Sequence, residues 1–178
     1  MADEALIEKT DTGPTNRWAA TGRLLRWLLG ALSLVGGLTW VLVATHGPTD
    51  LAVGLVLVAA GLVLLMPHRI RLPRRLTALV MAGFGLFGTA AGLVALTERT
   101  CCAYAYIADR GWPYTWLQRA AIADDPQVAR RLADSADWTV DLVSLTTNLL
   151  LWAYTGMLLV VVGVLVRRAR SGRAVPQA

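Results

Sequence analysis

Four long apolar runs, set apart by short polar stretches, divide the chain at about Leu24–Thr45, Thr49–Met66, Leu76–Thr97 and Thr139–Val166. A hydrocarbon layer of about 30 Å needs roughly 20 apolar residues in helical conformation, at a rise of about 1.5 Å per residue. Four such segments fit without overlap, the second being the shortest, with no charge in its apolar core Leu51–Met66 and with Pro48 and Pro67 on either side. The pattern predicts an all-α integral membrane protein, a four-transmembrane-helix bundle occupying residues 24–166. A polar, disordered tail is expected over residues 1–23, with Gly13 and Pro14 in a turn, and a second tail over residues 167–178.

The polar positions predict orientation. Basic residues resist translocation and stay on the cytoplasmic side of short loops. Lys9, Arg17 and Arg23 precede the first run; Arg69, Arg71, Arg74 and Arg75 separate the second from the third; Arg167, Arg168, Arg170 and Arg173 follow the fourth. The His46–Thr49 turn carries no Lys or Arg, and in Glu98–Trp138 five arginines are outnumbered by six acids. Both termini are therefore expected in the cytoplasm, with residues 98–138 outside. The first run is too long for the apolar part of a secretion signal and lacks a cleavage site.

The segment 98–138 is expected to be a short helical extracytoplasmic element. Tyr114–Ala123 contains no helix breaker, and Asp124 or Asp125 suits the cap of a second helix that tolerates Pro126 in its first turn. Asp124 with Gln127 has capping-box spacing. Val128 and Leu132 would share the membrane-facing side of that helix, with Arg130, Arg131 and Asp134 toward water. Trp112, Tyr114 and Trp116 suit a membrane interface, where an aromatic ring lies among acyl chains and its polar edge among headgroups.

Composition agrees with this picture: 56% hydrophobic and 16% charged residues, with a mean hydropathy of +0.52. The net charge of +5 and pI near 9.9 point to anionic lipid rather than nucleic acid, because the arginines cluster at helix ends. One Lys against sixteen Arg, with abundant Ala, Leu, Val and Gly, fits a GC-rich bacterial genome, and the expected location is the bacterial cell membrane.

Candidate chemistry is sparse. In the fourth run Asp141, Ser144, Asn148 and Thr155 fall at i, i+3, i+7 and i+14, within one helical stripe that also holds Trp152. Polar groups in hydrocarbon must find partners or a wet cavity, so this stripe faces other helices. Hydrogen bonding between helices is the plain reading, with Asp141 hydrated or paired with Arg99; a proton- or cation-responsive path from Asp141 through Ser144 and Asn148 is the sharper one. Gly85, Gly88 and Gly92 form a small-residue face in the third run, suited to close helix packing. Gly83, Gly85 and Gly88 also match GxGxxG, but without the preceding strand a dinucleotide site requires.

Cys101 and Cys102 are the only cysteines and are expected outside, as packed thiols, an intermolecular link or lipid attachment points. A quinone-linked thiol oxidase would need a Cys-x-x-Cys pair and a second pair, and neither is present. A small first loop and adjacent cysteines in a larger second loop are similar to the layout of tetraspanins. The chain departs from that family in having Ala103 where glycine follows the paired cysteines, and no further cysteines for its loop disulfides, so membership is not implied. His46 and His68 lie on opposite sides and share no metal or haem, and no serine has a histidine at its level. No cofactor is implied. The expected role is a non-enzymatic scaffold or accessory subunit packing against itself or a membrane partner, the alternative being a small oligomeric transporter or channel along the fourth helix.

Overall fold

The computed structural model describes residues 14–43, 47–66, 73–101 and 105–172. In chain order these form α1 (Pro14–Val43), α2 (Pro48–Leu65), α3 (Arg74–Ala91) with a 3-10 turn at Gly92–Val94, β1 (Leu96–Cys101), β2 (Ala105–Arg110), β3 (Leu117–Ile122), α4 (Pro126–Ser135), β4 (Thr139–Val140) and α5 (Leu142–Gly172). Four helices, over Ala20–Val43, Pro48–Leu65, Arg75–Val94 and Leu142–Ser171, are long and apolar enough to cross a membrane. Thr45, His46, the basic stretch from Pro67 through Arg69 and Arg71, Cys102, and the termini at 1–13 and 173–178 lie outside the described residues.

Glycines set the helix pairs. Along α1 and α2 the backbones touch: a Cβ on Gly37 would lie 2.7 Å from the Val58 nitrogen, and one on Gly61 would lie 2.7 Å from the Leu34 nitrogen. Contacts this close replace bulky side chains with continuous van der Waals surface. At the end of α2 the Arg26 Nε–H donates to the Leu64 carbonyl at 2.9 Å, satisfying a group that the helix terminus leaves open. The second pair is α3 with α5, where a Cβ on Gly85 would lie 3.3 Å from the Leu149 carbonyl oxygen and one on Gly156 2.9 Å from the Phe84 Cβ. Buried Ala60 of α2 packs with Tyr154 and Met157 of α5, so the helices run α1, α2, α5, α3 across the bundle.

Between α3 and α5 the chain is not all helical. The four strands form one antiparallel sheet in the order β1-β2-β3-β4, with Glu98 opposite Ala108 and Tyr106 opposite Ala121. Tyr114–Ala123, predicted to be a helix, is instead a loop running into β3, because its residues gain a ladder on β2 that a lone surface helix would lack. The helix α4 covers one sheet face, with Ala129 and Ala133 buried against Tyr106 and Ala108. Its cap is Asp125, whose carboxylate accepts from the N–H groups of Gln127 at 2.8 Å and Val128 at 3.1 Å; Asp124 does not cap it. Val128 and Leu132 are exposed, and the small alanines are what allow the helix to approach the sheet.

Four boundaries move accordingly. Residues 14–23 belong to α1 rather than to a disordered tail, and residues 167–172 continue α5. Leu96 and Thr97 open β1 and Thr139–Val140 form β4, so the strands begin where helix was predicted.

Candidate functional site

The site is built at the end of the bundle where the sheet meets the helices. Asp141 stands immediately before α5 as its cap: its carboxylate accepts from the N–H of Val143 at 2.9 Å, the N–H of Ser144 at 3.3 Å and the Ser144 hydroxyl at 2.7 Å. Those hydrogen bonds, the Ser144 hydroxyl foremost, hold its carboxyl below the usual carboxylate range. Arg99 does not pair with Asp141. It pairs with Asp109 across the β1–β2 ladder, where Asp109 is buried and Arg99 is exposed.

About two helical turns in from Asp141, Asn148 is completely buried. Its Oδ1 accepts from the Tyr114 N–H at 3.2 Å and its Nδ2 donates to the Tyr114 carbonyl at 2.7 Å. Thr155 donates to the carbonyl of Leu151, four residues back, at 2.9 Å. The four polar residues of the stripe therefore lie along α5, but they are not joined into one chain. Asp141 and Ser144 bind each other, Asn148 binds a loop, and Thr155 binds its own helix.

The β2–β3 connection carries the three aromatics singled out in the sequence. Gly111 has φ of 126° and sits where a Cβ would lie 2.6 Å from Trp116 Cδ1, so only glycine both adopts this backbone and leaves room for the ring. The Trp112 ring lies 5.7 Å from that of Trp152, and the Trp112 backbone rests on Gly92, where a Cβ would be 2.8 Å from its carbonyl oxygen. Gly88 faces Trp152 itself, with a Cβ at 2.3 Å from Cδ2. Tyr114 meets Trp40 of α1 edge to face, with centroids 6.0 Å apart. Burial first, and the Asp50 charge second, raise the Tyr114 phenol above its ordinary pKa. On the α4 side of the sheet, the guanidiniums of Arg110 and Arg119 lie 5.2 Å and 4.7 Å from the centre of the Trp138 ring. Cys101 is exposed at the end of β1.

Beneath Tyr114 an apolar cleft of about 510 Å³ opens between α1, α2 and α5. Leu32, Trp40, Val53, Leu57, Leu150 and Leu151 line it, with the hydroxyls of Ser33 and Tyr154 in its wall and 3.0 Å apart. A smaller cavity of about 200 Å³ lies between α2 and α5 under Trp112 and Pro113. Among the described residues no group of three or more His, Cys, Asp or Glu is placed to hold a metal ion.

Ser33, Tyr154 and Trp40 were not singled out by pattern. A signal existed: a lone hydroxyl in the middle of an apolar helix must find a partner, and these two find each other across 121 residues of sequence. No protein family model, curated protein or solved structure matches the chain.

Proposed function

We propose that the chain is a four-span protein of the bacterial cell membrane, both termini cytoplasmic, acting as a non-enzymatic scaffold or accessory subunit that carries a small sheet-and-helix cap on the outer face. Leu32, Leu42, Leu79 and Phe87 expose between 70% and 84% of their surface, an apolar display that suits lipid around the helices. The alternation of arginine-rich and arginine-free connections supports the orientation.

The observation that carries the scaffold reading is the double hydrogen bond from Asn148 to the Tyr114 backbone. The deepest polar side chain of the α5 stripe that faces another segment is engaged in holding the cap on the bundle, and Asp141 and Ser144 are engaged in capping the start of the helix. A conducting route needs polar groups free to exchange partners along its length. A fixed cap instead presents a constant surface, which includes strand β1, every residue of which is exposed. Purification from native membranes in mild detergent, with chemical cross-linking, tests this reading: a stable complex with a second membrane protein or a second copy, and no ion flux in liposomes, is expected. Proton- or cation-dependent flux by the purified chain would overturn it in favour of transport.

A further inference from the structure

The Ser33–Tyr154 pair leaves one hydrogen without an acceptor. Two hydroxyls carry two O–H hydrogens, and one bond between them uses one, whichever oxygen donates. Several helical hydroxyls of the long apolar helices place their hydrogen on the carbonyl four residues back, as Thr39 does on Val35, Thr147 on Val143 and Thr155 on Leu151. Ser33 does not; among the described residues its partner is Tyr154 alone. Tyr154 is 5% exposed, and both side chains line the 510 Å³ cleft. An orphaned donor in an apolar site favours an occupant with an acceptor oxygen.

A single water does not complete the cleft. It would meet only the two hydroxyls of the pair, the fewest partners a buried water takes, and would leave most of the 510 Å³ unfilled; the next polar group along the cleft wall of α5, Thr147, lies seven residues before Tyr154, about 10 Å along the helix, with its hydrogen already on Val143. A bare hydrocarbon chain leaves the hydrogen unmet. In the bilayer placement proposed above, on which this step rests, Ser33 is ten residues from the end of the apolar stretch Ala20–Val43, or about 15 Å deep. That depth is below the headgroup region where lipid ester oxygens lie.

We propose that this cleft binds a membrane-soluble ring ketone with a hydrocarbon tail, the chemistry of a prenylated quinone. One carbonyl oxygen accepts from the Ser33–Tyr154 pair, and the ring and the first part of the tail lie along Leu32, Leu57 and Leu150 toward Trp40. The volume suits this occupant, since ligand sites enclose about 300–1,000 Å³ and bind mostly by apolar contact with a few placed polar groups.

The test uses the full chain. Retention in alkali-washed membranes is scored first; release from them would overturn the bilayer placement and this site with it. The detergent-purified protein is then titrated with a benzoquinone bearing a short isoprenoid tail, following tryptophan emission, because Trp40 lines the cleft. Saturable quenching is expected, with the midpoint raised about five-fold in the double variant Ser33→Ala/Tyr154→Phe, the effect of one lost hydrogen bond. Ser33→Thr, which keeps a hydroxyl, retains the wild-type midpoint and shows that the position tolerates change. Leu57→Phe, which fills the cleft, abolishes saturation. Quenching that rises linearly and equally in all variants would reduce the effect to partition into detergent. Saturable quenching unchanged in the double variant, and displaced equally by a tail lacking the carbonyl, would leave a hydrocarbon occupant. Either result overturns the proposal.

Discussion

Asn148 grips Tyr114 by both halves of its amide, accepting from the backbone N–H and donating to the carbonyl of the same residue. A single side chain thus meets both main-chain groups of one loop residue, and it does so without exposure to solvent. The loop that carries Trp112, Tyr114 and Trp116 is fixed against α5 by this contact.

Replacing Asn148 with Leu, which keeps the volume and removes both partners, is expected to lower stability by about 2 kcal/mol, because the Tyr114 N–H and carbonyl lose their bonds in a buried setting. Asn148→Asp keeps the acceptor but sets a carboxylate against the Tyr114 carbonyl and should also destabilise. Thermal unfolding in detergent, with proteolysis of the β2–β3 connection as a second readout, checks both.

Gly88 and Gly83 lie in the same helix and predict opposite outcomes. A Cβ at Gly88 would meet the Trp152 ring at 2.3 Å, whereas one at Gly83 meets nothing within 4 Å. Gly88→Ala should cost about 1–3 kcal/mol by forcing α3 off α5, and pairing it with Trp152→Leu should recover part of the loss. Gly83→Ala should be neutral or stabilising by up to about 1 kcal/mol, from helix propensity alone. The midpoints of denaturant titrations of the four proteins decide it.

The lowered Asp141 carboxyl carries a pH signature. Since its value in the folded protein lies below that of the unfolded chain, its stabilisation is fully present above the ordinary carboxylate range and is lost as pH falls through the lowered value. Thermal stability measured from about pH 6 down to about pH 3 should fall less steeply in Asp141→Asn and in Ser144→Ala than in the wild type. Identical slopes would show that the cap does not titrate as its hydrogen bonds imply.

Two ion pairs on the sheet differ in what they leave behind. Removing Arg99 strips the cation from Asp109, whose side chain is 4% exposed, whereas removing Arg130 strips it from Glu98, which is 39% exposed. Arg99→Ala should cost about 1 kcal/mol, the value being limited by the exposure of the arginine itself, and Arg130→Ala within about 0.5 kcal/mol. Chemical denaturation at low and at high salt separates them, since only the exposed pair is strongly screened.

The apolar helices were legible because burial in hydrocarbon and burial in a bundle demand the same long runs, and Gly85 and Gly88 lie on the α5-facing side of α3. The sheet was not legible. Its covered face is built from Tyr106, Ala108 and Ala121, packed on Ala129 and Ala133 of α4, and the alanines carry no strand preference. With arginine, aspartate and glutamine between them, β2 and β3 lack the alternation of large apolar residues that marks a strand. At Asp141 the i, i+3 spacing with Ser144 fits two meanings, a polar stripe inside a helix and a cap bonded to the first turn. The structure shows the second, because the helix starts at Leu142. The Asn148–Tyr114 contact joins residues 34 apart through a loop backbone, and no side-chain pattern encodes a partner that is main chain.

The interlocked glycines of the first hairpin bear on how the molecule can flex. A Cβ on Gly37 would lie 2.9 Å from the Gly54 carbonyl oxygen and one on Gly61 2.8 Å from that of Gly30, two notches seven residues apart on each rod, so neither rod can ratchet along the other without driving a side chain into backbone. Any widening beneath Tyr114 must therefore lever the two rods away from α5 as one piece, pivoting where Ala60 abuts Tyr154. Spin labels on α1 and α2 should hold a constant separation while either one shifts against α5.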